Sequence, residues 1–213
     1  MRLFLSFCVI ACLLALAAHA GSKPGADAAV TAKAVFAGGH FWGLQPAFNE
    51  TPGVLSTVVG FTGGPVIKEE DKLSFPDVAS GKTGHVMAVE VTYDPAKITY
   101  ERLLHVFWRN IDPVDGDGQF CDRGRAFRSV IFYSDDVQRQ KAEDSRMLLE
   151  ADSERFNDKP ITTEILPSGA FYPAEDYHQS YYKKNPFRFN FYKGRCGRDV
   201  RLNALWGKAA PKH

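Results

Sequence analysis

Beyond residue 32 the chain alternates between short β-branched or aromatic runs and longer stretches with apolar positions three and four apart. Runs at 33–37, 54–61, 85–93, 129–133 and 161–166, rich in Val, Ile, Thr and Phe, predict strands. Helical spacing predicts helices at 41–49, 99–109, 135–151 and 174–183. In the second of these, Leu103, Leu104, Phe107 and Trp108 form the apolar face, and Thr99 fits the N-cap. Ser134 or Asp135 suits the cap of the third, and Pro173 the first turn of the fourth. Gly63-Gly64-Pro65 and Asp115-Gly116-Asp117-Gly118 read as loops. With no internal repeat and no low-complexity linker after residue 32, the pattern predicts one α+β domain over 33–207 and a flexible tail at 208–213.

The first twenty residues follow another rule. Arg2 precedes an apolar run from Leu3 to Ala18, and Ala18-His19-Ala20 ends it before Gly21. A short basic start, an apolar middle and a small-residue cleavage site predict a signal peptide at 1–20, hence export to a periplasmic or extracellular space. The run is too short for a membrane span, so no membrane association is expected after cleavage. Residues 21–32 read as a disordered spacer.

Cleavage changes the charge and the thiols. The whole chain has 213 residues, net charge +1 and 45% hydrophobic residues, enough for an ordinary core. Of its 26 bases only Arg2 is removed, which leaves 25 against 25 acids. That balance, without a long basic run, argues against a nucleic-acid partner. Cys8 and Cys12 leave as well, so Cys121 and Cys196 are the remaining thiols. An oxidising compartment allows them to pair, and a Cys121–Cys196 disulfide is the expectation.

Several motifs stand in order. They are Gly38-Gly39-His40-Phe41-Trp42-Gly43, Gly60-Phe61-Thr62-Gly63-Gly64, Ser80-Gly81-Lys82-Thr83-Gly84-His85, Val106-Phe107-Trp108-Arg109-Asn110-Ile111-Asp112-Pro113, Gly118-Gln119-Phe120-Cys121-Asp122-Arg123-Gly124 and Cys196-Gly197-Arg198-Asp199. Together they resemble peptide methionine sulfoxide reductase A from about residue 33 to 207. The resemblance implies that family's α+β fold, a ferredoxin-like central sheet flanked by helices. It also implies a chemistry with no cofactor. A cysteine thiolate at a helix N-terminus attacks the sulfur of methionine-S-sulfoxide, while a glutamic acid and two tyrosines serve the oxygen. An aromatic pair holds the methyl group. A second cysteine resolves the sulfenic acid, and a thioredoxin-type reductant reopens the disulfide.

Carried over position by position, the reacting groups are missing. His40 stands at the nucleophile position and Met87 at the acid. Phe75 and Phe127 stand where the tyrosines are expected. The methyl cage, Phe41 and Trp42, remains, as do Asp122 and a resolving-position Cys196. Singly these are ordinary swaps, since a methionine on an apolar strand is usually packing. Jointly, a thiol, a carboxyl and two hydroxyls have gone while the scaffold motifs stayed. An imidazole cannot pass through the sulfenic-acid and disulfide steps.

The reading is therefore an exported family member that has lost reductase activity and binds methionine or oxidised-methionine side chains of proteins through Phe41 and Trp42. The alternatives are an active reductase working through Cys121 and Cys196, which alone would need a thioredoxin-type partner, and a metal-binding or protein-interaction module. His40, His85, Cys121 and Asp122 have suitable ligand chemistry but no compact ligand spacing, so no metal site is expected. His85 reads as a hydrogen-bonded residue at a strand start, and His178 as one on a helix surface.

Overall fold

The computed structural model describes residues 30–68 and 72–207. The expected signal peptide, most of the spacer and the tail at 208–213 lie outside the described residues. In chain order the elements are β1 (Ala32–Gly38), α1 (Phe41–Asn49), β2 (Val54–Thr62), α2 (Phe75–Ala79), β3 (Val86–Tyr93), α3 (Tyr100–Trp108), β4 (Gly118–Gln119), β5 (Asp122–Arg123), β6 (Ser129–Tyr133), α4 (Asp136–Glu150), β7 (Glu164–Pro167), β8 (Tyr172–Pro173), α5 (Tyr181–Lys184), α6 (Pro186–Arg195) and α7 (Arg198–Trp206).

Six strands form one sheet in the order β7-β6-β1-β3-β2-β8. Pairings are antiparallel except β6 with β7. The inner four, β6-β1-β3-β2, have the ferredoxin-like arrangement, in which each crossover helix skips one strand. The period-2 pattern divides the core. Ala34 and Phe36 of β1 and Met87, Val89 and Val91 of β3 bury one face with Leu44 and Phe48 of α1 and Leu103 and Phe107 of α3. Ala37, Val86, Ala88, Val130 and Phe132 bury the other. Phe36 is the hinge of the first layer, its ring 5.0 Å from Phe48 and 5.2 Å from Phe107. Thr99 caps α3 by accepting from the Arg102 N–H, and Asp135, not Ser134, caps α4 by accepting from Gln138.

Two expectations need correction. The last long strand is Glu164–Pro167 rather than 161–166, because the Thr162 N–H is taken by the Pro113 carbonyl at 2.8 Å instead of a sheet neighbour. The expected helix at 174–183 does not form. Pro173 ends β8, turns follow, and helix begins only at Tyr181. The Gln179 side chain explains this. Its Oε1 accepts from the Val59 N–H at 2.9 Å, and its Nε2 donates to the carbonyls of Val59 at 2.8 Å and Ala174 at 2.9 Å. The segment is thus tied to the edge of β2, a tertiary preference that overrides local helical spacing. The helices α6 and α7 were not foreseen.

Candidate functional site

The site grows from the turn between β1 and α1. Gly39 has φ +81, and a Cβ there would stand 2.6 Å from Gln119, so glycine is required for the chain to turn beneath the β4 strand. His40 follows as N-cap of α1, and its Nδ1 accepts from the Trp42 N–H at 3.3 Å. That bond leaves the proton on Nε2. His40 is 7% exposed. Burial above all, and the neighbouring His178, push its pKa down to about 3, so the ring is neutral at physiological pH.

Rings surround it. Trp42 lies 4.3 Å from His40 centre to centre, Phe41 5.1 Å, Phe75 5.2 Å, Tyr192 5.5 Å and Phe127 6.3 Å. Phe75 is the first residue of α2, and Phe127 closes a short 3-10 turn before β6. Met87 is fully buried, paired in register with Phe61 of β2 and facing the same core layer as Phe41. Phe41 itself is fully buried, whereas Trp42 is half-buried and stacked on Tyr181 at 3.6 Å and 3°. The residues that the sequence singled out from α1, α2 and the 127 turn thus meet around the His40 imidazole.

His178 was expected on a helix surface, but it is 2% exposed and belongs to this site. The Trp42 indole N–H donates to its Nδ1 at 3.0 Å, and its ring lies 4.6 Å from Phe75. Its Nε2 has no hydrogen-bond partner and faces the equally unpartnered Oε2 of Glu175 at 3.9 Å. Burial lowers the His178 pKa, partly offset by Glu175. His178, Glu175, Tyr181 and Tyr192 were missed as site residues. The available signal was the density of aromatic residues between Phe171 and Tyr192. His85 lies at the start of β3 as expected, with Nδ1 3.1 Å from the Thr83 carbonyl and its ring 5.6 Å from Tyr172.

At the rim, Cys121 and Cys196 form a disulfide, with Cα atoms 4.7 Å apart and a sequence separation of 75. Beside it the Tyr192 hydroxyl donates to Asp122. Burial raises the Asp122 pKa, against the pull of Tyr192 and Arg198, and burial also raises that of Tyr192. Arg198 is buried under α1. Its guanidinium donates to the Asn110 carbonyl and lies 4.7 Å over the Phe120 ring. Gly43 makes room for it, since a Cβ there would come 2.9 Å from the guanidinium. The four-residue metal set considered from sequence is not assembled. Among the described residues, one group of three or more His, Cys, Asp or Glu donors converges, namely Cys121, Asp122 and Cys196.

Fold and site define an α+β protein with an aromatic-lined histidine at a strand–turn–helix junction and a redox-capable cysteine pair at its rim. The family model described as peptide methionine sulfoxide reductase matches residues 32–210. The peptide methionine sulfoxide reductase MsrA of Bacillus licheniformis is 46% identical over 175 residues, which cover 82% of this chain and 93% of that protein. The MsrA of Listeria innocua is 46% identical over 174 residues, 82% of this chain and 95% of that one. Methionine sulfoxide reductase A of Corynebacterium diphtheriae superposes with a TM-score of 0.68 at 35% identity, covering 73% of this chain and 76% of that chain. Reduced Mxr1 from Saccharomyces cerevisiae gives 0.69 at 29%, covering 76% and 89%. The chain belongs to the peptide methionine sulfoxide reductase family.

Proposed function

We propose that this protein is an exported member of the family that does not reduce methionine sulfoxide and instead binds thioether or sulfoxide side chains of proteins at the aromatic site. The observation that carries the proposal is His40. Sulfoxide reduction needs a sulfur nucleophile and a proton donor for the departing oxygen. The residue at the head of α1 is a neutral imidazole whose Nδ1 is already engaged by the Trp42 N–H. The rings facing it, Phe75 and Phe127, carry no hydroxyl, and Met87 carries no acid. The nearby Tyr192 hydroxyl is committed to Asp122. Loss of one such donor costs about 10²- to 10³-fold in rate, before the missing thiol is counted. What remains suits an apolar methyl or thioether held against Trp42.

One observation favours a second reading. The Cys121–Cys196 pair lies beside Asp122 and Tyr192, and Tyr192 touches His40. Here the Cys121 thiolate attacks the sulfoxide sulfur, the oxygen leaves as water with two protons, and Cys196 closes the disulfide. Methionine is the reduced product, and a thioredoxin-type dithiol restores the thiols. The deciding experiment is turnover of a methionine-S-sulfoxide peptide by the chain from residue 21, with excess dithiothreitol. No turnover above buffer is expected, while the peptide or its reduced form quenches Trp42 fluorescence. Turnover abolished by Cys121→Ser would replace the first reading with the second.

A further inference from the structure

We infer that reduction of the Cys121–Cys196 bond converts the rim of the site into a zinc-binding centre built from both thiolates and the Asp122 carboxylate. The two Sγ atoms and a carboxylate oxygen of Asp122 all lie within 4.8 Å of one another. Zinc takes thiolate at about 2.3 Å and carboxylate at about 2.0–2.2 Å, so its ligands stand about 4 Å apart. Opening the S–S bond moves the sulfurs toward that spacing.

The donors stay together without the disulfide. Cys121 is in the turn between β4 and β5, and Cys196 ends α6. Three contacts hold these segments independently. Tyr192 of α6 donates to Asp122, Arg198 of α7 packs over Phe120, and Arg201 of α7 donates to Asp112 at 2.6 Å. The Tyr192 hydroxyl also holds the carboxylate by a hydrogen bond, as outer partners of metal ligands do.

Charge balances as well. Two thiolates and a carboxylate carry three negative charges. Arg198, whose guanidinium acts on Asp122, supplies one positive charge and zinc supplies two. Cys121 is exposed, which gives the ion an entry path and leaves a fourth position for water. A phosphine reductant and water convert the disulfide to two thiols and the phosphine oxide. Zinc then displaces one proton from each thiol. The centre is therefore redox-gated: the oxidised protein has no thiolate to offer.

The test is anaerobic titration of the phosphine-reduced protein, residues 21–213 without a histidine tag, with zinc chloride against a chromogenic chelator. Cobalt(II) serves as a spectroscopic substitute. One equivalent of zinc and a thiolate-to-cobalt charge-transfer band are expected. Both should disappear when the disulfide is re-formed. Asp122→Asn, which keeps both cysteines, should weaken zinc at least about tenfold. Cys196→Ser should abolish the charge-transfer band contributed by its sulfur. Circular dichroism of each variant reports folding, and if Cys196→Ser does not fold, Asp122→Asn decides. Equal zinc uptake by the oxidised protein, or unchanged affinity in Asp122→Asn, would mark adventitious binding and overturn the inference.

Discussion

His40 links chemistry to stability through its protonation. Its folded pKa, about 3, is below the value of about 6.5 in an unfolded chain. Between those pH values the unfolded chain binds more protons. The contribution of neutral His40 is therefore present above about pH 6.5 and lost progressively as pH falls toward 3. His40→Phe removes this dependence. The difference in unfolding free energy between wild type and His40→Phe should fall by up to about 1.4 kcal/mol per pH unit below pH 6. A pH-independent difference in urea midpoints would refute a neutral His40. Arg198 is the other residue with a disproportionate role, since it joins α7 to Asn110, Phe120 and the space left by Gly43. Arg198→Ala should cost about 2–4 kcal/mol, through a cavity and an unpaired carbonyl, read by chemical denaturation.

Among the elements, those built on local pattern were legible. The bounds expected for α1 and β6 are those observed, and Thr99 caps α3, because an apolar period and a cap residue are local signals. The stretch 174–180 was not legible, because its structure is a set of side-chain bonds to β2. Gln179→Ala removes two of those bonds, both to Val59, together with the one that Gln179 makes to Ala174. It should destabilise the protein by about 2–3 kcal/mol and speed amide exchange at Val59. Unaltered exchange at Val59 would mean that β8 alone holds the segment. The same tether delivers His178 to Trp42, so the variant should also weaken binding of a thioether ligand.

For the whole molecule, the disulfide closes a loop across 75 residues and fastens the C-terminal helices to the sheet domain. A cross-link of that span stabilises by about 2–4 kcal/mol, chiefly by constraining the unfolded chain. For the chain from residue 21, dithiothreitol should lower the urea midpoint accordingly and expose the thiols of Cys121 and Cys196. An equal midpoint with and without reductant would show that Tyr192, Arg198 and Arg201 suffice to dock α6 and α7. No helix among the described residues is long and apolar enough to cross a membrane.

The chain's own pattern determined the strand runs, the apolar face and Thr99 cap of α3, and the resemblance by which His40, Met87, Phe75 and Phe127 are read at the reacting positions. Each of these is carried by neighbours in sequence or by a motif that can be read without coordinates. Tertiary structure alone decided that His40 is buried and neutral, because desolvation depends on which rings close over it. It alone decided that His178 lies inside, since its burial comes from Trp42 and Phe75, more than 100 residues away in sequence. It also decided that Cys121, Asp122 and Cys196 form one group, because only the docking of α6 and α7 brings distant donors within a metal ion's reach.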